Sequence, residues 1–377
     1  MKKQAEEKDP KEMRYGYTTG ACATATTKAA LISLITGQTL SKVEIRLPIG
    51  QTATFTLEQV HMSGNVAECS VIKDAGDDPD ATHGARIVST VTWVDEPGIH
   101  LDGGIGVGRV TKPGLPVAVG EAAINPIPRK MIREAVMDVL SEFEIERGVK
   151  VVISVPDGEE IAKKTLNERL GIIGGISILG TRGIVVPFST AAYRASVAQA
   201  IQVAKANGCH HLVLTTGGSS EKHAMKMFPH LPEEAFIQMG DFVGFALKHA
   251  KRAEVDKVTL VGMIGKFSKV AQGVMMVHSK SAGVDLNFLA EVAQEVGAPP
   301  DLVEQVKIAN NATHAGQLME EAGYMEFFTA LCLYICKHSL HHIEGGINLE
   351  TVLVKMKGEF LGRAELNGRK SESNRNG

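Results

Sequence analysis

The sequence predicts an α+β N-terminal domain followed by an α/β domain with a mainly parallel sheet and a helical C-terminal part. Three observations lead there. Between residues 13 and 148, strand-like runs (VEIRLP, TATFTLEQV, AECSVI, ARIVSTVTWV) lie between two helix patterns, an irregular order. Between 149 and 283, short runs apolar on both faces, among them KVVISVP, GIVVPF, HLVLTTG and KVTLVGMIG, alternate with helix patterns, as buried parallel strands do. From 284 to 362 the apolar spacing is mostly helical, with INLETVLVKM as a last strand.

The elements follow in order. Residues 1–12 carry charges of both signs without apolar periodicity and read as a disordered tail; 363–377 read the same way. A helix is expected through Ile35, ended by Gly37. A second begins at Asn125 or Pro126, with Pro128 in its first turn. In the α/β domain EEIAKKTLNERL, TAAYRASVAQAIQVAKANG and DFVGFALKHAKRAE read as helices. DLNFLAEVAQEVG and DLVEQVKIANNATHAGQLMEEAG each begin with an Asp cap, and MEFFTALCLYICKHSLHH reads as a buried helix.

Bulk properties exclude several classes. The chain has 377 residues, 44% hydrophobic and 22% charged, which is ordinary globular usage. A net charge of −3 argues against a nucleic-acid binder. Five scattered cysteines suggest no disulfide framework and fit a reducing cytoplasm. No apolar run approaches the roughly 20 residues that span a bilayer.

Six stretches carry candidate chemistry. YTTGACATATTK holds only small residues from Thr18 to Thr27. Thr18, Thr19 and Gly20 at a helix start offer N–H and hydroxyl donors to an anion, and Lys28 adds charge two turns on. Close helix packing explains the same residues equally well. VIKDAGDDPDATHGAR clusters Lys73, Asp74, Asp78 and His83, suited to substrate contact or proton transfer; a solvated turn is the plainer reading. LDGGIGVGRVTKPG departs from GxGxxG, since the third glycine position holds Arg109. It reads as an anion nest flanked by Arg109, or as a hairpin.

INPIPRKMIREA places Arg129, Lys130 and Arg133 where cations oppose a helix dipole, a penalty of roughly 0.3–1 kcal/mol each that a bound polyanion would offset. HLVLTTGGSSEKHA ends a buried strand in Thr215, Thr216, Gly217, Gly218 and Ser219, with Glu221 placed for hydroxyls such as those of a ribose. Ligands bind at such strand ends. In CLYICKHSLHH, Cys332 and Cys336 precede three histidines, but the apolar neighbours favour a core helix over zinc. On local features alone, a nucleotide-dependent phosphoryl transferase stays open.

Taken together and in order, YTTGACATATTKAA, KDAGDDPDATHG, NPIPRKMI and TTGGSSE resemble the CbiD family, the cobalt-precorrin-5B C(1)-methyltransferases of anaerobic cobalamin biosynthesis. The resemblance runs from about Arg14 to Leu361. It implies methyl transfer from S-adenosylmethionine to a ring carbon of a cobalt tetrapyrrole, giving cobalt-precorrin-6A. Cobalt would arrive only within the substrate, with no metal held by the protein; a non-catalytic tetrapyrrole carrier is the alternative. On that reading the 13–148 domain binds the tetrapyrrole through Thr18, Thr19, Gly20, Lys28, Lys73, Arg109, Arg129, Lys130 and Arg133. Arg14 would join this rim, since arginine suits carboxylates. Asp74, Asp78 and His83 would manage a proton. The 149–283 domain would hold the methyl donor through Thr215–Ser219 and Glu221. The partner expected is the tetrapyrrole, with no nucleic acid or membrane; a homo-oligomer or transient contact with neighbouring pathway enzymes is left open.

Overall fold

The computed structural model describes residues 13–278 and 283–369, so the tail expected at 1–12 lies outside the described residues. Of the tail expected at 363–377, residues 370–377 also lie outside, whereas the strand Phe360–Asn367 takes in its beginning. The chain divides into two compact units, 1–190 and 191–377, each a mixture of helices and sheets.

The first unit is organised around the helix Thr19–Thr36. Thr18 caps it by accepting from Ala21 N, and Gly37, at φ 68°, ends it with its N–H on Ser33 O. Residues 19–27 are all buried. The helix packs on a five-stranded sheet, ordered Gln59–Ser63, Val66–Ile72, Arg86–Val94, Gly148–Ser154, Ile99–Gly103. It also packs on the helix Pro126–Glu142 and on the strand Lys42–Arg46, which pairs antiparallel with Thr52–Thr56. Ala67, Cys69 and Val71 alternate inward on one strand, Ile87, Ser89 and Val91 on the next. Ser89 Oγ lies 2.6 Å from Thr26 Oγ1 and accepts from Thr27 Oγ1 at 3.0 Å, pinning helix to sheet where both backbones come close. Gly20 sits where a Cβ would lie 2.7 Å from Pro128 Cγ.

Four expectations are corrected in this unit. KVVISVP does not open the α/β domain: Gly148–Ser154 pairs antiparallel with Arg86–Val94 and parallel with Ile99–Gly103. Val149, Val151 and Ile153 are fully buried there, and they would be buried against either kind of neighbour. EEIAKKTLNERL is helical only over Gly158–Ala162, and GIVVPF forms only the strand Ile184–Val185, paired with Gly16–Tyr17. The glycines of LDGGIGVG mark a backbone crossing. A Cβ on Gly106 would fall 1.9 Å from Val155 O, and those on Gly158 and Gly175 would fall 2.0 and 2.1 Å from Gly106 O. Glycine is required there by contact, so the glycine density is explained by packing.

The second unit holds a five-stranded sheet ordered Phe236–Gln238, His211–Thr215, Lys257–Gly262, Asn348–Val354, Phe360–Asn367. The first four strands are parallel and the last is antiparallel. Helix Gly218–Met227 packs on the first two strands, and Glu326–Ile343 on the last two. From His211–Thr215 the chain crosses to one neighbour, and from Lys257–Gly262 it crosses to the other side. These two carboxyl ends therefore flank the switch point of the sheet, where α/β folds form a crevice. Asp285 caps the helix Leu286–Glu295 as expected. The next stretch breaks into Pro300–Lys307 and Ala312–Glu321, because Asn311 accepts from His314 N and starts a new helix.

Gly20→Ala tests what the small residues are for. Alanine favours a helix by about 1 kcal/mol over glycine, whereas overpacking costs about 1–3 kcal/mol. We expect a net loss of stability in urea unfolding; a gain would show that Pro128 can move aside.

Candidate functional site

The residues expected to floor a cleft are buried, and their donors are used inside the protein. Gly20 N donates to Leu179 O at 3.0 Å, and Thr18 N to Gly183 O at 3.1 Å. Thr19 Oγ1 accepts from Leu179 N at 2.9 Å and lies 3.2 Å from Ser177 O. The helix start is thus clamped by the segment 177–183, and the expectation of outward-facing donors is corrected. A buried helix end has to satisfy its N–H groups within the fold.

Four of the expected rim cations are also engaged by groups of the same unit. Lys73 is 1% exposed and donates to Asp80 Oδ2 at 2.7 Å. Burial alone would raise the Asp80 carboxyl, but the Lys73 charge and the Thr82 bonds hold it below its usual range. Arg129 donates through Nε to Ile124 O at 2.6 Å and through its terminal nitrogen to Ala122 O at 3.0 Å, and it pairs with Glu121 at 3.1 Å. Arg133 donates to Ile99 O at 2.8 Å. Arg109 pairs with Asp102 at 2.9 Å. The dipole penalty of the Pro126–Glu142 helix is thus offset for Arg129 and Arg133 by backbone carbonyls of the same unit.

Lys28 and Lys130 are brought together. They line a cleft of about 530 Å³ between the two long helices and the strand Lys42–Arg46. Lys28 Nζ donates to Glu44 O at 2.9 Å, and Lys130 lies 3.6 Å from Glu134. Arg46, a residue that sequence reasoning missed, lines the same cleft and is exposed, with no ion pair among the described residues. Its signal was outward alternation within VEIRLP. Glu134 and Asp138 also line the cleft, so its charge is mixed rather than uniformly basic.

Asp74, Asp78 and His83 form a separate group on the 74–83 loop. Both carboxylate oxygens of Asp74 bond the Arg14 guanidinium, and Gly76 N donates to Oδ1 at 2.9 Å. The Arg14 bonds, then the Gly76 N–H, hold the Asp74 carboxyl at about 2. Such a carboxylate is a weak proton acceptor, which counts against Asp74 as a general base. His83 Nδ1 accepts from Ala75 N at 3.1 Å, so its other nitrogen carries the proton when the ring is neutral. Asp78 Oδ1 accepts from the N–H of Phe188, an exposed aromatic held at φ 52°.

In the second unit the Thr215–Glu221 loop lies at the switch point. Gly217 precedes the helix Gly218–Met227, leaving the first N–H groups of that helix without intrahelical acceptors. A Cβ on Gly217 would meet nothing within 4 Å, and one on Gly218 only Gln238 Nε2 at 3.7 Å. These glycines border open space, unlike Gly106, Gly158 and Gly175. Glu221 is 5% exposed and accepts from Gln238 Nε2 at 2.7 Å. Ser220 Oγ donates to Gly217 O at 2.9 Å, and Thr216 Oγ1 lies 3.4 Å from it. Thr215 Oγ1 is buried without a partner among the described residues.

Sequence reasoning missed Tyr193, Gln238, Asp241 and Lys266 at this edge. Tyr193 donates to Gln238 O at 3.2 Å; burial, then the charges of Asp241 and Glu221, push its hydroxyl upward. Asp241 and Lys266 pair at 2.9 Å. The strand ends AFIQMG and VGMIGK carried the signal, but chain order did not show that they share an edge. Cys332 and Cys336 are buried, and Cys336 Sγ lies 3.3 Å from Thr351 Oγ1 in the core. Burial pushes the Cys336 thiol up to about 11.

The depressed Asp74 carboxyl gives a pH test. Its stabilisation is present above the ordinary value of 3.8 and is lost as pH falls towards about 2. In Arg14→Ala we expect the Asp74 titration, followed by NMR, to move up towards about 3.9; an unmoved midpoint would show that Gly76 alone sets it.

Comparison with known proteins gives a consistent result. The CbiD model matches residues 6–187, and the CbiD C-terminal domain model matches 276–365. A Geobacillus protein is 65% identical over 95% of this chain and 98% of its own length. A Priestia megaterium protein is 63% identical over 96% and 98%, and one from Leptospira interrogans is 45% identical over 94% and 96%. All three bear the name cobalt-precorrin-5B C(1)-methyltransferase. The crystal structure of a cobalamin biosynthesis protein (cbiD) from Archaeoglobus fulgidus is 34% identical, covering 67% of this chain and 78% of that one with a TM-score of 0.38. Among the described residues no helix is long and apolar enough to cross a membrane, and no cluster of His, Cys, Asp or Glu is arranged to hold a metal. With these relatives matched along nearly its whole length, the chain belongs to the CbiD family.

Proposed function

We propose that this protein methylates C-1 of cobalt-precorrin-5B from S-adenosylmethionine, giving cobalt-precorrin-6A. The observation that carries the reading is 45–65% identity, over at least 94% of the chain, to proteins named for that reaction. Cobalt belongs to the substrate.

The residues of the second unit suit the methyl donor. An open glycine loop, free helix N–H groups and a carboxylate–amide pair (Glu221 and Gln238) meet at the sheet's switch point. When bound there, S-adenosylmethionine supplies an electrophilic methyl on a sulfonium, so a ring carbon gains a C–C bond as the C–S bond breaks. Displacement of this kind asks the protein for alignment and exclusion of water, and for no covalent nucleophile. Glu221 would accept from the ribose hydroxyls, with Gln238 fixing its orientation.

The tetrapyrrole is a wide ring edged with carboxylates. In the first unit, Lys28, Arg46 and Lys130 converge on one cleft and would answer that edge. Arg109, Arg129, Arg133 and Lys73 serve instead to hold the unit that carries the cleft. Asp78 and His83 are the remaining candidates for a proton on the ring, since their carboxylate and imidazole are not held by a guanidinium.

The activity is tested by incubating the protein anaerobically with cobalt-precorrin-5B and methyl-labelled S-adenosylmethionine. Absence of label in the ring sinks the assignment. Lys28→Glu and Lys130→Glu should each weaken the macrocycle on the order of tenfold, or 1.4 kcal/mol, with donor affinity unchanged. Gly218→Val should do the reverse, and the opposite pattern in titrations would exchange the roles of the two units.

A further inference from the structure

We propose that Asp241 and Lys266 hold the amino-acid end of the methyl donor, its ammonium against Asp241 and its carboxylate against Lys266. The inference rests on the donor reading given above and adds residues to it. Asp241 follows the strand Phe236–Gln238, and Lys266 lies in the first turn of the helix that follows Lys257–Gly262. With the Thr215–Glu221 loop they occupy the carboxyl ends of three adjacent parallel strands. Glu221 follows the middle one of these strands, and Asp241 and Lys266 follow its two neighbours.

Three features suit the pair to a zwitterion. Its two charges are 2.9 Å apart, the Lys266 side chain being 44% exposed and Asp241 22%. Asp241 Oδ1 is buried, and its partner among the described residues is the Lys266 ammonium itself. A ligand ammonium would replace that cation at Asp241 and free Lys266 for the ligand carboxylate. Lys266 also sits at the N-terminal turn of Ile264–Ala271, where its charge opposes the helix dipole. A carboxylate bound beside it is favoured by both the ammonium and the free N–H groups of that turn. Tyr193 walls the same edge: a Cβ on Gly240 would lie 2.9 Å from its hydroxyl oxygen, so only glycine lets the ring pack beside Asp241.

Calorimetry with two probes tests this. S-adenosylhomocysteine carries the amino-acid group; 5′-methylthioadenosine has the same nucleoside and sulfur without it. The native protein is expected to bind the first at least tenfold more tightly. Lys266→Met and Asp241→Asn should each remove most of that ratio and leave 5′-methylthioadenosine affinity unchanged, which also reports an intact crevice. If the native protein binds S-adenosylhomocysteine and both variants keep the full ratio, the proposal is overturned while the donor reading stands. Loss of both probes together in the variants overturns it too, since the pair would then support the crevice as a whole. If the native protein binds neither probe, the donor reading falls and takes the proposal with it.

Discussion

The first unit depends on one steric constraint, the close approach of the helix Thr19–Thr36 to everything around it. Gly20 meets Pro128, Thr26 and Thr27 meet Ser89, and Thr19 is clamped by Leu179. Larger side chains would push the helix away from the sheet and from the Pro126–Glu142 helix at once. Its hydroxyls add bonds where the backbones come near, so that the polar atoms of a small-residue face are satisfied rather than merely buried. The cleft lined by Lys28, Arg46 and Lys130 follows from this packing. It is the space left where the helix emerges from its buried turns beside a hairpin strand and a second helix.

Cation placement illustrates the gap between residue type and role. Seven basic residues were read as a rim for a polyanion. Their partners within the unit decide among them. Lys73, at 1% exposure, needs a partner within the fold and finds Asp80. Arg109, Arg129 and Arg133 spend their donors on carbonyls and carboxylates of nearby loops, a use that the forked guanidinium serves well. Arg14 is committed to Asp74. Lys28 and Lys130 remain beside the cleft, joined by Arg46 from a strand that carried no motif.

Glycines divide in the same way. Those at 106, 158 and 175 permit backbones to cross, whereas those at 217 and 218 border open space at the edge of a parallel sheet. Both groups look alike as sequence, since glycine density records only that a side chain is unwelcome. Whether such a glycine faces another backbone or an open crevice is a matter of neighbours distant in the chain.

Local chemistry was enough to mark the two long helices with their caps, the parallel strands of the second unit and the ordered motifs that place the chain among CbiD proteins. Capping, alternation and strand-end loops are short-range effects and are written in consecutive residues. The sequence also located the Thr215–Glu221 loop, because a buried strand running into Thr-Thr-Gly-Gly announces its own end. Tertiary structure alone decided that Gly148–Ser154 belongs to the first unit's sheet, since a Val-rich strand buries the same side chains beside parallel or antiparallel neighbours. It alone decided that Thr18, Thr19 and Gly20 spend their donors inside the protein while Lys28 reaches a cleft, and that Asp241 and Lys266 share an edge with Glu221. Those facts depend on which surfaces meet, and contacts between residues far apart in the chain leave no periodic trace in either segment.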